Sequence, residues 1–269
     1  MQMLNLGCGG LYHIDWINLD GISTSPHVIE HDLRKRLPYP NRSMDVVYHS
    51  HVLEHFPAED APRFLMENIR VLKPGGILRI AVPDLENIAR SYLSKLSDFE
   101  HQWMLLEFFD QTVRNRVGGQ MGEVMRSASG RDLDFIRSRM GTEVDLARGS
   151  VSSNPRSWIE KLRSKSMSFI WRRMRYILAR IAVRVIAGQD AERALREGLF
   201  RQSGEIHQWM YDERSLTRLL TECGLQKIQR LDEGRSQISD FSRFELEIVG
   251  GVIRKPGSLV IEAIKPMPS

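Results

Sequence analysis

The strongest constraint on the fold is a glycine turn near the start of the chain. Residues Leu4 to Gly10 read Leu-Asn-Leu-Gly-Cys-Gly-Gly, a short apolar strand that enters a tight turn, and a second strand-like run ends in Asp20. Glycine lacks a Cβ, so it allows a positive φ and lets backbone N–H groups approach a ligand. A carboxylate at the next strand end can accept hydrogen bonds from ribose hydroxyls. The pattern predicts a site for an adenosine-containing cofactor, with a plain strand-to-loop turn as the alternative.

Strand and helix signals alternate after this turn. Strands are predicted from Val28 to Asp32, from Asp45 to His49 and from Gly76 to Val82. Between the last two, apolar residues at helical spacing predict a helix from Ala58 to Leu72, which a Lys-Pro-Gly-Gly sequence ends. This alternation is typical of a mostly parallel sheet covered by helices.

The connection between the first two strands is unusually short. Nine residues separate Gly10 from Asp20, whereas a complete crossover that contains a helix needs at least about 10–12 residues. We therefore expect this helix to be short or absent. The cofactor is then less covered by the core fold, and residues 98–212 are expected to supply a lid.

Five ordered segments over residues 3–84 together resemble the class I S-adenosylmethionine-dependent methyltransferases. The segments are Leu4–Gly10, Asn18–Asp20, His31–Leu33, Asp45–His55 and Leu72–Leu78. The resemblance implies an α/β fold with a Rossmann-like, mostly parallel seven-stranded sheet flanked by helices. It further implies an antiparallel final strand, and the long sequence after strand five is interpreted as a helical insertion.

The same resemblance implies a cofactor site for S-adenosylmethionine. Gly7, Cys8 and Gly9 are expected to bind its methionine part. Asp20 is expected to bind the ribose, and Asp32 and Leu33 the adenine. Ser50 is expected to lie near the methyl group. The turn from Ser50 to His55 is expected beside the transferable methyl group. Cys8 is interpreted as an ordinary loop residue.

Length and composition are consistent with one core and an insertion. The chain has 269 residues, of which 42% are hydrophobic, and we divide it into a first core part (1–97), a basic helical insertion (98–205) and a C-terminal core part (206–269). Cys8 and Cys223 lack metal-ligand neighbours, so neither a disulfide framework nor a structural zinc site is expected. Without a secretory leader or a long apolar run, we expect a cytoplasmic enzyme.

Positive charge is concentrated in the insertion. Residues 151–187 contain nine Lys and Arg against the single acid Glu160. From Ser166 to Gly188, apolar residues that include Trp171 fall on one side of a helix and arginines on the other. Residues 157–188 therefore suit an anionic membrane surface. The alternatives are packing on the protein's own core and, less favoured, nucleic-acid binding, because a continuous apolar stripe indicates lipid or protein.

The rest of the insertion is less regular, and the core pattern then resumes. Gly118 to Pro155 is rich in glycine and has weak periodicity, so this part of the insertion is expected to be partly mobile. Further on, Asp212 can cap a helix that ends at Cys223-Gly224. Strands are predicted from Gln226 to Leu231 and from Ser258 to Ile264.

A second resemblance concerns the acceptor. The segments Val82–Leu85, Gly204–Asp212 and Arg254–Lys265 are similar to methyltransferases found among surface-polysaccharide and lipopolysaccharide biosynthesis proteins. This resemblance implies a glycan or sugar acceptor, often linked to a lipid. The alternatives are methylation of RNA or of another small molecule, and a catalytically inactive protein that uses the fold for interactions at the membrane.

Methylation of a sugar hydroxyl calls for a general base, and histidine is well suited to that role near neutral pH. The candidates are His49, His51, His55 and His207, with Asp84 and Glu54 as further options. His55 is the first choice because its turn follows strand four, and His207 is the second because its segment can fold over the same site. Methyl transfer needs no metal, so the histidines are not expected to form a metal site.

Overall fold

The centre of the protein is a seven-stranded sheet. The computed structural model describes residues 1–23, 25–149 and 167–268. The strands are β1 (Met3–Leu6), β2 (Ile17–Asp20), β3 (Val28–Glu30), β4 (Met44–Ser50), β5 (Leu72–Pro83), β6 (Gln226–Leu231) and, after the small hairpin β7 (Ile248–Val249) and β8 (Val252–Ile253), β9 (Ser258–Ile264). Their order is β3-β2-β1-β4-β5-β9-β6, and β9 runs antiparallel to both neighbours. The predicted fold, with its antiparallel final strand, is confirmed.

One face of the sheet is covered by helices α1 (Ala61–Val71) and α8 (Glu213–Glu222). Leu65 of α1 and Leu216 of α8 are fully buried against strand residues such as Leu4. The side chain of Asp212 caps α8 by accepting a hydrogen bond from Ser215 N at 2.7 Å, as predicted. The apolar faces of these helices hold the N-terminal and C-terminal parts of the chain on one core.

On the opposite face of the sheet, Tyr48 of β4 is covered by aromatic side chains from the segments before β2 and β7. Trp16, Tyr48 and Phe244 are buried, and the rings of Trp16 and Phe244 meet edge to face at 5.3 Å. The fully buried Arg79 guanidinium on β5 binds the carboxylate of Glu247, which anchors the loop before β7 to the sheet. This loop therefore covers a face where many α/β proteins place a helix.

The connection from β1 to β2 contains no helix, as predicted. Instead, Gly7 N donates a hydrogen bond to Leu19 O at 2.8 Å, which ties the glycine turn directly to β2. The turn is therefore held by the neighbouring strand, and the space above it is not covered by a crossover helix.

The insertion has its own core. Trp103, Met104 and Ile136 are buried between α2 (Leu85–Tyr92), α3 (Asp98–Val113), α4 (Gly119–Ser127), α5 (Gly130–Met140) and α6 (Glu143–Gly149). Despite the weak periodicity after residue 118, the chain is mainly helical there as far as residue 149. The expected partial mobility stays a prediction, and residues 150–155 lie outside the described part of the chain. Gly118 and Gly141 have positive φ at a helix start and a helix end, so these glycines separate helices rather than prevent them.

Helix α7 (Met167–Arg201) is a helical hairpin. Gly188, with φ of 87° and ψ of −178°, breaks it into arms 167–187 and 189–201. Arg180 in the first arm donates a hydrogen bond to Glu192 in the second, across the break. The predicted helix up to Gly188 is confirmed for the described residues, whereas 157–166 lie outside them. Within the described chain, we find no helix with the length and apolarity required to cross a bilayer.

Candidate active site

The glycine turn and the Ser50–His55 turn meet at the carboxyl edge of the sheet, because β1 and β4 are parallel neighbours. Gly7 has φ of 65°, and a Cβ placed on it would lie 2.3 Å from Val52 Cγ2. The positive φ and the close approach of Val52 therefore both exclude a residue larger than glycine at position 7. The two turns that the sequence predicts around a cofactor are in direct contact.

Asp20 faces the same turn. Its Oδ2 accepts a hydrogen bond from Gly9 N at 2.8 Å, and its Oδ1 accepts one from Ile22 N at 3.0 Å. A Cβ on Gly9 would meet no atom within 4 Å. The carboxylate therefore lies at the edge of open space above the turn, an arrangement that fits a ribose held by Asp20 and a backbone approach at Gly9.

The residues expected near adenine lie beside a cavity. Leu33, Phe56 and Phe64 line a cavity of about 420 Å³. Asp32 Oδ1 accepts a hydrogen bond from Arg34 Nε at 2.9 Å, and this bond holds the pKa of the Asp32 carboxyl below its usual range. Leu33 thus offers an apolar surface for a planar base, whereas the Asp32 carboxylate is held by an arginine.

Cys8 and Ser50 complete the predicted cofactor residues. Burial, together with the nearby Asp20 charge, raises the pKa of the Cys8 thiol to about 12. The side chain is therefore a neutral thiol, consistent with an ordinary loop residue. Ser50 Oγ accepts a hydrogen bond from Arg254 Nη2 at 3.0 Å, which connects the end of β4 to the segment before β9.

A buried carboxyl group lies at the centre of the second turn. Glu54 is fully buried, and in the described chain its oxygens make no hydrogen bond of good geometry. The nearest ring nitrogens are His51 Nδ1 at 3.2 Å and His207 Nε2 at 3.9 Å from Oε1. Burial raises the pKa of Glu54 to about 7, against the opposing charge of Lys255. Glu54 is therefore able to gain or lose a proton near neutral pH.

His55 and His207 lie against each other beside this carboxyl group. Their rings meet edge to face, with centroids 4.9 Å apart. His55 Nδ1 is 3.0 Å from the carbonyl oxygen of Ile206, which only accepts, so Nδ1 carries the proton and Nε2 the lone pair. Burial lowers the pKa of His55 to about 4 and that of His207 well below its usual range. Both rings are neutral at pH 7.

The segment that carries His207 is clamped onto the turn. His207 N donates to Gln111 O at 2.9 Å, and Gln208 N donates to Glu54 O at 2.7 Å. Gln208 Nε2 adds a hydrogen bond to His55 O at 3.0 Å. The structure therefore brings the rings of His55 and His207 together, and the backbone contacts of His207 and Gln208 hold them there.

The other candidate bases do not expose a reactive group here. His49 is buried in the core against Phe64, with ring centroids 5.2 Å apart, and burial lowers the pKa of His49 to about 3. Asp84 caps α2 through Glu86 N at 3.0 Å and binds Arg230 Nη2 at 2.9 Å. His51 is in the cluster, but its Nε2 is occupied by Ser258 Oγ at 3.0 Å.

Three cationic side chains that we did not predict surround the cluster. Arg254 and Lys255 precede β9, and Arg114 follows α3. Their charges add to the effect of burial in lowering the pKa values of the histidines. Lys255 acts on all three rings, Arg254 also acts on His51, and Arg114 also acts on His55 and His207. Burial lowers the pKa of Lys255 itself. In the sequence, Arg254 and Lys255 are marked only by the Arg254–Lys265 segment of the second resemblance, and Arg114 lies in none of its segments.

The cluster has the ligand types of a metal site. Glu54, His55 and His207 each offer one ligand atom, and these atoms lie within 4.8 Å of one another. The positive charges of Arg114 and Lys255 oppose a cation at this position. The expectation that no metal is required stays a prediction.

Comparison with known proteins identifies the family. The methyltransferase domain family matches residues 4–80. A probable S-adenosylmethionine-dependent methyltransferase from Mycolicibacterium smegmatis is 33% identical over 178 residues, which cover 60% of this chain and 68% of that protein. The chain belongs to the S-adenosylmethionine-dependent methyltransferases. S-adenosylmethionine is therefore its co-substrate, and the first resemblance is confirmed at the level of the family.

Two further matches cover a smaller part of this chain or share less of its sequence. The probable methyltransferase ltbC of Aspergillus luteorubrus is 33% identical over 76 residues, which cover 28% of this chain and a quarter (25%) of that protein. Among solved structures, an S-adenosylmethionine-dependent methyltransferase from Archaeoglobus fulgidus aligns with 98% of this chain and 86% of its own, at 11% identity and a TM-score of 0.39.

Proposed function

We propose that the methyltransferase methylates a hydroxyl oxygen of a glycan or lipid-linked saccharide. The observation that carries this proposal is the protonation and orientation of the His55 ring. Its ring is neutral, its Nδ1–H is fixed by Ile206 O, and its Nε2 lone pair is available beside the turn that contacts Gly7. A positioned proton acceptor is what a hydroxyl nucleophile requires, because a free hydroxyl is a poor nucleophile.

The proposed methyl transfer is an in-line displacement. S-adenosylmethionine supplies a methyl group on a sulfonium, and the S–CH₃ electron pair leaves with sulfur as the new O–CH₃ bond forms. The hydroxyl proton passes to His55 Nε2. Because the pKa of Glu54, about 7, is higher than that of His55, about 4, the proton is more stable on the neighbouring carboxylate. The proton then returns to solvent by way of the His55 ring, which is less deeply buried than Glu54.

Gly7, Cys8 and Gly9 would hold the methionine part, and Asp20 would hold the ribose. The contact between Gly7 and Val52 keeps this part of the site next to the His55 turn. The role of the protein is to align the acceptor oxygen behind the methyl group, where proximity supplies much of the rate.

Unpaired polar atoms in the buried cluster support a saccharide as the acceptor. In the described chain, His207 Nδ1 and the Tyr211 hydroxyl are buried without a hydrogen-bond partner. Buried polar groups are costly unless they are paired, and the hydroxyls of a sugar would pair them. The likeness of the segment around His207 to methyltransferases of surface-polysaccharide biosynthesis points to the same acceptor class.

The test uses purified protein, labelled S-adenosylmethionine and a panel of alkyl glycosides and short oligosaccharides. We expect label on a sugar oxygen, and we expect His55→Ala to lower kcat by about 10²–10⁴-fold with little change in the affinity for S-adenosylmethionine. His207→Ala should reduce kcat less. The matched control is His101→Ala, since this exposed histidine lies outside the cluster.

Two results would contradict the proposal. Methyl transfer to RNA but to no saccharide would replace the acceptor class. Full activity of the His55→Ala and His207→Ala variants would remove both histidines from the mechanism. A chelator is expected to leave the activity unchanged, and loss of activity with recovery on adding zinc would instead assign Glu54, His55 and His207 to a metal.

A further inference from the structure

The first arm of helix α7 carries an apolar stripe that the protein does not cover. Trp171 is 58% exposed and Leu178 is 61% exposed. Met174, Ile181 and Val185 lie on the same side at helical spacing and are also exposed. A row of large apolar side chains in water is unfavourable by about 25 cal/mol for each Å² of apolar surface. Such a row marks a contact surface.

The two arms of the hairpin meet on the opposite side of the first arm. Tyr176, Arg180 and Val183 are only partly exposed, and they lie across the helix from the stripe. Arg180 pairs with Glu192 of the second arm. Pairing of the arms therefore leaves the stripe facing outward, so the stripe is not the surface that the hairpin uses to hold itself together.

Charge separates the two arms. Residues 167–187 contain five arginines and no acidic residue, whereas residues 189–201 contain three arginines and three acids. Arg175 and Arg184 are exposed, and helical spacing places them on the two flanks of the stripe. Arginines at the flanks can extend toward charged groups while the apolar residues enter a less polar layer.

This combination indicates lipid rather than the other possible occupants. A second copy docked on this surface would bring its own Arg175 and Arg184 close to those of this chain, and like charges would repel. A nucleic acid would be bound by arginines interleaved with stacking aromatic rings. Here the stripe is mainly aliphatic and continuous, and the charges flank it. An anionic bilayer surface satisfies both features, with about 1 kcal/mol from each basic residue near the surface.

We propose that the first arm of α7 lies in the plane of an anionic membrane, with the Trp171–Val185 stripe in the interface. This inference deepens the proposed function, on which its biological purpose rests, because the hairpin leads directly into the site. Arg201 ends the second arm, and Ile206, whose carbonyl binds His55, is five residues later. Five residues span at most about 18 Å. A docked hairpin holds the site near the membrane surface, where a lipid-linked saccharide is presented.

The experiment is vesicle flotation of the full-length protein. One set of vesicles is phosphatidylcholine alone, and the other contains about 30% phosphatidylglycerol, which supplies the negative surface potential. We expect binding to the anionic vesicles that is at least about tenfold stronger and weakens with salt. Leu178→Asp with Ile181→Asp should reduce this binding at least about tenfold. Arg175→Glu with Arg184→Glu should remove the preference for anionic lipid.

The matched control is Leu93→Asp, because Leu93 is 81% exposed and lies outside the hairpin. It should bind vesicles like the wild type. All variants should methylate a short soluble glycoside at the wild-type rate, so loss of vesicle binding is measured separately from loss of the proposed function. A protein that binds vesicles but methylates no saccharide would contradict only the proposed function.

Four results would overturn the membrane inference. The first is failure of the wild type to bind anionic vesicles. The second is vesicle binding that the stripe variant leaves unchanged. The third is a dimer, measured by light scattering, that the stripe variant dissociates, since this would assign the stripe to a second copy. Strong RNA binding that requires Arg175 and Arg184, without vesicle binding, would have the same consequence.

Discussion

The sheet and the first arm of α7 use similar apolar residues in opposite ways. Leu65, on the helix that covers the sheet, is fully buried, whereas Leu178 on the hairpin is 61% exposed. In the core, leucines hold β1 and β4 so that Gly7 and Val52 touch, and function depends on this precision. The hairpin instead leaves its large apolar side chains exposed. The edge of the sheet is the part that we propose to hold the co-substrate, and the hairpin is the part that we propose to contact a membrane.

The largest expected effect is on stability. Leu65→Ala should lower the free energy of unfolding by about 2–5 kcal/mol, because it leaves a cavity in the core. Leu178→Ala should change it by no more than about 0.5 kcal/mol. Urea denaturation of both variants measures this difference. Equal losses would mean that the stripe is part of the folded core.

A second prediction concerns the glycine turn. Gly7→Ala should destabilise the protein by about 2–4 kcal/mol, since a Cβ adds left-handed strain and a clash with Val52. Gly9→Ala should cost only about 1 kcal/mol, because Gly9 also has a positive φ but its Cβ would meet no neighbour. Thermal unfolding compares the two. A larger loss for Gly9→Ala would show that the close approach of Gly7 to Val52 is not what limits substitution in this turn.

The third prediction uses the buried Glu54. Its folded pKa of about 7 lies above its ordinary value of 4.5, so the unfolded state loses this proton first as the pH rises. Glu54 therefore lowers stability progressively from pH 4.5 to about 7, by up to about 3 kcal/mol at higher pH. Glu54→Gln should be more stable than the wild type at pH 8, with little difference at pH 4.5.

Glu54→Gln should lower the activity, although it should raise the stability at pH 8. Because the carboxylate is the proposed final proton acceptor, Glu54→Gln should lower kcat and remove a rise in rate near pH 7. Unfolding curves and rates at several pH values provide both measurements. A stability difference between variant and wild type that does not vary with pH would contradict the raised pKa.

Much of the fold was predictable because burial leaves a periodic pattern. Both β6 and β9 begin and end as predicted. The start of β5 was not, because Leu72 already pairs with Met44 and the register then shifts before Val46 meets Ile77. An irregularity of this kind leaves no periodic signal. The glycines at positions 118 and 141 were misleading, because in a sequence a glycine at the end of a helix looks the same as a glycine in a segment without regular structure.

The site was predictable only where it is local in sequence. The turn from Ser50 to His55 is one continuous segment, so its motif predicted both the position of the turn and His55 as a candidate base. Lys255 reaches Glu54 only because β9 pairs with β5. His207 reaches the turn through contacts with residues about 150 positions earlier. Such proximity follows from the order in which the strands pair in the sheet, and a single sequence does not reveal that order.

The central claim is that the co-substrate binds at the carboxyl edge of the sheet between the glycine turn and Asp20. Titration calorimetry with S-adenosylmethionine tests it most directly, in the wild type and in Asp20→Ala, with Asp15→Ala as the control on an exposed carboxylate outside the turn. We predict binding by the wild type and the control, and an affinity at least about tenfold lower for Asp20→Ala, because hydrogen bonds to a carboxylate are lost. Equal affinity in all three proteins, or no binding by the wild type, would contradict the claim.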